Sequence, residues 1–230
     1  MSRNISSSTS FSLKILMALI FIAASNFSNA QKIKWESGED LAFMKDVKSL
    51  NIEYDFNNMT VAEGTESTFL EERKVAMNKD KAGEGDEFVN NWEKAKTEKY
   101  PKHFEELFNK ELRKESIVGG QKMDAQYTVI ITVTNVKTGR GNAWGKKPAM
   151  VDFVITIVET NNRSSILAKA TMEDVKGEVK APKGSNWAPH GVSSVLNTTA
   201  HFVNKDVTNR LAESYELVAI ALAKQIKKKN

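Results

Sequence analysis

The chain has 230 residues, none of them cysteine, with 40% hydrophobic and 27% charged side chains. Such a composition excludes a collagen, a low-complexity polymer and a disulfide-built miniprotein, and the length favours one domain or one domain with an appendage. The formal net charge of +4 is too balanced to demand nucleic acid or an anionic membrane as partner.

The amino terminus reads as an address. Arg3 and Lys14 precede the uncharged run ILMALIFIAA at Ile15–Ala24, which spans about 15 Å as a helix against a hydrocarbon core of about 30 Å. It is too short to cross a membrane comfortably. Ser28-Asn29-Ala30 then places small residues where a signal peptidase reads, so cleavage is expected between Ala30 and Gln31. Residues 1–30 are therefore read as a signal peptide, 31–46 as a lead segment and 47–230 as a single domain. No cysteine follows the apolar run, which closes the lipoprotein route. Removing Arg3 and Lys14 from the 33 basic residues leaves 31 against 29 acids, a net +2. A cysteine-free exported chain fits a bacterial periplasm or exterior better than an animal extracellular space.

Val47–Phe56 alternates, with Leu50, Ile52, Tyr54 and Phe56 on one side, and predicts a strand that ends at Asn57-Asn58. Thr65–Lys79 changes to a helical period, with Phe69, Val75 and Ala76 as its apolar stripe. Gly83 and Gly85 end it. A second helical stretch runs from Asp86 towards Lys114, interrupted at Pro101, with Phe104, Leu107, Phe108 and Leu112 at helical spacing. Gly119-Gly120 predicts a turn. Tyr127–Val136 and Met150–Thr160 are rich in β-branched and aromatic residues and predict strands joined by the glycine-rich stretch Thr138–Gly145. A third strand, Ser165–Met172, follows an Asn161-Asn162 turn and suggests an antiparallel meander.

Gly177–Asn204, with Pro182, Gly184, Pro189 and Gly191, predicts a long surface loop. The chain closes with a helix over Asp206–Lys228, whose buried stripe is Val207, Leu211, Tyr215, Val218, Leu222 and Ile226; Asp206 offers a cap, and Lys224–Lys229 suit the negative end of its dipole. The order strand, helix, helix, three strands, helix predicts an α+β fold: a mostly antiparallel sheet of about four strands with helices on one face.

Catalytic spacing is not found. His103, His190 and His201 have no second histidine three or four residues away, which excludes an HExxH-type zinc helix. There is no Gly-x-Ser-x-Gly elbow. Glu71-Glu72 and Glu105-Glu106 are adjacent acids that cannot share a helix face and read, like His103, as solvated. Gly139-Arg140-Gly141 lacks the remaining glycines and the Lys-Ser/Thr of a phosphate loop and reads as a hairpin. The candidates for binding are Trp144, Lys146 and Lys147, which set an aromatic beside basic charge, and Trp187 and His190 in the Trp-Ala-Pro-His-Gly loop. Trp92, Tyr100, Phe104 and Phe108 would line a pocket if one existed, although core packing is their commoner use. No metal, cofactor or catalytic residue is expected.

The series signal peptide, strand, a helix ending in Phe104-Glu105-Glu106-Leu107-Phe108-Asn109, then YTVIITVTNV, a glycine turn, VDFVITIVET and SSILAKATM resembles exported proteins of Bacteroidetes-type bacteria. It is more distantly similar to periplasmic α+β domains of the LpoB and TolB amino-terminal type. The resemblance covers about Val47–Lys228 and implies a non-enzymatic envelope protein that works through contacts. It carries over no functional residue, and the absent lipidated cysteine departs from the lipoprotein members. The expected function is an exported binding module with an envelope partner, and the alternative is a carrier or sensor of a small apolar or anionic ligand. Neither a nucleic-acid partner nor a transmembrane segment is expected.

Overall fold

The computed structural model describes residues 32–142, 145–177 and 207–229, with the backbone alone over 140–142 and 145–147. The fold is α+β. In chain order its elements are β1 (Lys34–Ser37), β2 (Ser49–Asp55), β3 (Thr60–Val61), β4 (Gly64–Thr65), α1 (Glu66–Asp80), α2 (Glu84–Lys94), α3 (Tyr100–Leu112), β5 (Val118–Gly120), β6 (Tyr127–Lys137), β7 (Arg140–Asn142), β8 (Gly145–Lys147), β9 (Met150–Glu159), β10 (Asn162–Lys176) and α4 (Val207–Lys227). Among the described residues, no helix is long and apolar enough to cross a membrane.

The central sheet has the order β1-β10-β9-β6-β2-β5, with β3 continuing along β6 and β4 pairing β3, making eight strands where the sequence predicts about four. The extra strands are short or atypical. β1 is the charged tetrapeptide KWES inside the lead segment, and β3 and β4 have two residues each. β5 contains the Gly119-Gly120 pair that predicts a turn. It is a strand because a Cβ at Gly119 would stand 2.7 Å from Phe108 and 2.8 Å from Ile52, so only glycine lets the edge close onto α3.

β6, β9 and β10 form the predicted antiparallel meander. β2 instead pairs parallel to both β6 and β5, because α1–α3 return the chain to the same end of the sheet before it re-enters. A register shift in β6 between Val133 and Asn135, and another in β10 between Met172 and Val175, keep Val136 and Val175 pointing inward.

One face of the sheet carries the core. Val129, Ile131, Val133, Phe153, Ile155, Ile157, Ala168 and Met172 pack against the stripes of α3 and α4. Every predicted stripe residue of α4, from Val207 to Ile226, is buried; Asp206 lies outside the described residues. α1 behaves differently. None of its residues is fully buried and Val75 is 59% exposed, because the helix lies beside α2 and reaches the core only through Phe69 and Leu70. Pro101 restarts the second helical stretch as predicted: with no N–H to donate, it stands at the first turn of α3, behind a π-helical turn over Ala95–Lys99.

Candidate functional site

Two long connections start from one end of the sheet. The first joins β6 to β9 and contains the β7–β8 ribbon, in which Arg140 pairs with Lys147 and Gly141 with Lys146. The second runs from the end of β10 to α4. Four residues tie their roots together. The Gly177 N–H donates to the Ala149 carbonyl at 2.9 Å, and Arg210 Nη2 donates to the Thr138 carbonyl at 3.2 Å. Gly177 also presses on α4, since a Cβ there would lie 1.9 Å from the Arg210 carbonyl oxygen. Glycine at this position lets the second connection leave and return at the same point.

Charges of both signs stand at this end of the sheet, where Lys137 pairs with Asp174 and the Asp174 N–H donates to Asp152. α4 presents its amino-terminal end, and Lys99 Nζ donates to Thr208 Oγ1 at 2.9 Å and Asn209 Oδ1 at 2.8 Å in its first turn. Arg210 is held in place by Thr138, while its buried Nε has no hydrogen-bond partner among the described residues. The first connection carries the glycine-rich sequence as a paired ribbon between strands, which is a hairpin geometry and not the strand-to-helix turn of a phosphate loop.

Lys146 and Lys147 are placed by their backbone on β8, rooted at this junction. Trp144, Trp187 and His190 lie outside the described residues, as do Ala30 and Gln31. The topology nevertheless attaches the 143–144 and 178–206 segments to the same end of the fold, so the sequence candidates share a root.

Two side chains that read as solvated are not. His103 Nδ1 lies 2.6 Å from Glu216 Oε1, and the Glu216 side chain is only 3% exposed. Its Oε2 is buried without a hydrogen-bond partner among the described residues. Glu216, heading the apolar run Leu217–Ala223, was the available sequence clue; its partner, 113 positions away, was not readable. Glu105 is half-buried beside Tyr54, whose hydroxyl donates to it at 3.4 Å. Burial raises the Glu105 carboxyl above the ordinary carboxylate range, against the pull of hydrogen bonds from Gln121 and Tyr54. Burial also pushes the Tyr54 hydroxyl far up, with the Glu105 charge adding to it. Neither pair has an acid, base and nucleophile in reach of one another among the described groups.

The four aromatics divide between core and cavity. Phe104 and Phe108 stack with centroids 5.5 Å apart inside the core. Trp92 and Tyr100, with Phe56, Met59 and Tyr215, line a space of about 10 Å³, room for about one water and not for an organic ligand. A wider, open cleft of about 430 Å³ lies between Glu39 and Asp40 and the end of α4 at Gln225, Lys228 and Lys229, lined by opposite charges. No group of three or more histidine, cysteine or acidic side chains that would hold a metal ion occurs among the described residues.

Compared with known proteins, the chain matches no family model, no curated protein and no solved structure.

Proposed function

We propose that this chain is an exported, non-enzymatic binding module that holds an envelope protein through the two connections rooted at the Gly177–Arg210 junction. The observation that carries the reading is the junction itself: Gly177, Ala149, Thr138 and Arg210 fix the roots of both connections on one rigid end of the sheet. Binding residues concentrate on loops held by such scaffolds. The ten-residue apolar run, followed by Ser28-Asn29-Ala30, supplies the route out of the cytoplasm. The aromatic and basic residues Trp144, Lys146, Lys147, Trp187 and His190 give the contact chemistry.

The test has two parts in one experiment. A carboxyl-terminally tagged chain is expressed, its exported form is sequenced from the amino terminus, and its in-cell crosslinks are captured. The reading predicts a chain starting at Gln31 and one recurrent envelope partner. An uncleaved cytoplasmic chain, or an exported chain that captures nothing, contradicts it.

A further inference from the structure

The helices cover one face of the sheet, and among the described residues the middle of the other face is covered by nothing. Two cross-strand rows run over it. The first is Asp55–Thr132–Val154–Thr171–Lys34, and the second is Glu53–Ile130–Thr156–Lys169–Ser37, each following the register from β2 through β6, β9 and β10 to β1. Their central residues are half-buried: Ile130, Thr132, Val154, Thr156, Lys169 and Thr171. Five of the six residues that β6, β9 and β10 contribute to these rows, all but Lys169, are β-branched, which suits sheet-on-sheet packing.

The rows are charged asymmetrically. Acids stand at the β2 end, and lysines at the β10–β1 end. We propose that this face docks a second copy of the chain about a two-fold axis parallel to the strands and passing through β9. That operation lays β9 on β9, β6 on β10 and β2 on β1. Val154 then meets Val154 and Thr156 meets Thr156, Thr132 meets Thr171, and Asp55 meets Lys34 of the second copy. In the second row Glu53 meets Ser37 and Ile130 meets the aliphatic stem of Lys169, so the charge match that an isologous interface requires is carried by the first row, through Asp55 and Lys34.

The rim supports the same reading. Lys34–Glu173 at 2.5 Å, Lys169–Glu36 at 2.8 Å and Arg163–Glu53 at 2.6 Å flank the uncharged Ile130, Thr132, Val154, Thr156 and Thr171, with Lys169 on the charged side. All six side chains are at least 41% exposed, so these pairs contribute little alone and are free to exchange partners. An uncharged centre within a charged rim is the anatomy of a protein interface. Five strands spaced about 4.8 Å apart span about 24 Å, and with β1 only four residues long the face is smaller than the about 800 Å² per partner of a standard complex. The dimer is accordingly expected to be reversible.

The two edges of the sheet do not offer a competing contact of similar extent. At β5 the Asn109 side chain occupies both the N–H and the carbonyl of Gly119, at 2.7 and 2.8 Å. At β1 the edge is four residues long and broken by a bulge between Trp35 and Ser37.

Sedimentation equilibrium of the purified protein tests the proposal. A concentration-dependent species of twice the chain mass is expected. Val154→Asp, which stacks two carboxylates on the axis, should weaken it by about a hundredfold or more. Asp55→Lys and Lys34→Asp should each weaken it by about tenfold, and the double variant should recover to within about threefold of the parent. Within one chain Asp55 and Lys34 stand at opposite sides of the sheet, so damage to folding would not be rescued in this way. The chain has no cysteine, so Val154→Cys introduces a single thiol that a short bismaleimide should join to its copy. Val75→Cys, on α1, should not be joined. A strictly monomeric parent into the millimolar range, a dimer indifferent to Val154→Asp, or a double variant without rescue overturns the proposal. A monomer whose introduced thiol at 154 is nevertheless shielded from maleimide also overturns it, and gives the face to another occupant.

Discussion

His103 and Glu216 show how one helix–helix contact is fixed by a polar pair. Glu216 is buried on α4 with Oε2 unpartnered among the described residues, so the imidazole on α3 is what Oε1 has in place of water. Removing that partner leaves a desolvated carboxylate. His103→Ala should lower stability by about 1–3 kcal/mol in denaturant unfolding. His103→Ala/Glu216→Leu should cost less than the sum of the single changes, because the double variant strands nothing. Additive single and double costs would show that the pair does not couple the helices. Glu105 works in the opposite direction. Burial raises its carboxyl above the unfolded value, so its protonated form is favoured by folding, and the stability it contributes is complete at low pH and is lost as pH rises through the folded value. Glu105→Gln should therefore gain stability relative to the parent as pH goes from acid to neutral, in thermal melts across that range. Glu53 has the reverse sign, since its hydrogen bond to Arg163 lowers its carboxyl, but both side chains are more than 40% exposed and the effect is small.

At the scale of elements, what was legible in the sequence was whatever carried a long apolar period. The stripe of α4 and the β6–β9–β10 meander are readable because each repeats one kind of environment over ten or more positions. β1, β3, β4 and β5 were not readable, because each is a short piece of two to four residues whose conformation is imposed by its neighbours. Val118–Gly120 is a strand only because β2 and α3 close on it, a fact held in Ile52, Phe108 and Asn109 and not in the glycines. The same holds for α1, whose local period is helical but whose stripe has no sheet to face, leaving Val75 in solvent. Of the candidate site, the residue types were legible and their common root was not. That root depends on contacts between Thr138, Ala149, Gly177 and Arg210, which no local pattern encodes. The plug at β5 yields its own prediction. Asn109→Ala strips the hydrogen bonds from both backbone groups of Gly119 and should destabilise the fold by about 1–2 kcal/mol. Amide exchange at Gly119 should rise more than at Ile52, and an equal rise at both would show global and not edge opening.

On the scale of the whole molecule, the sheet divides the labour. One face builds the core with α3 and α4, the other presents two cross-strand rows, and one end anchors the connections that carry the aromatic and basic candidates. Among the described residues, the space at the aromatic centre of the core is about 10 Å³, room for about one water. The proposed function places its contacts at the surface, on the end that anchors the two connections. Site-resolved photo-crosslinking in living cells tests that claim most directly, with the probe placed in turn at Trp144, Trp187 and, as a control on the far helix, Val75. The account predicts one shared envelope partner from positions 144 and 187 and none from position 75. No product from either connection, or the same products from all three positions, would contradict it.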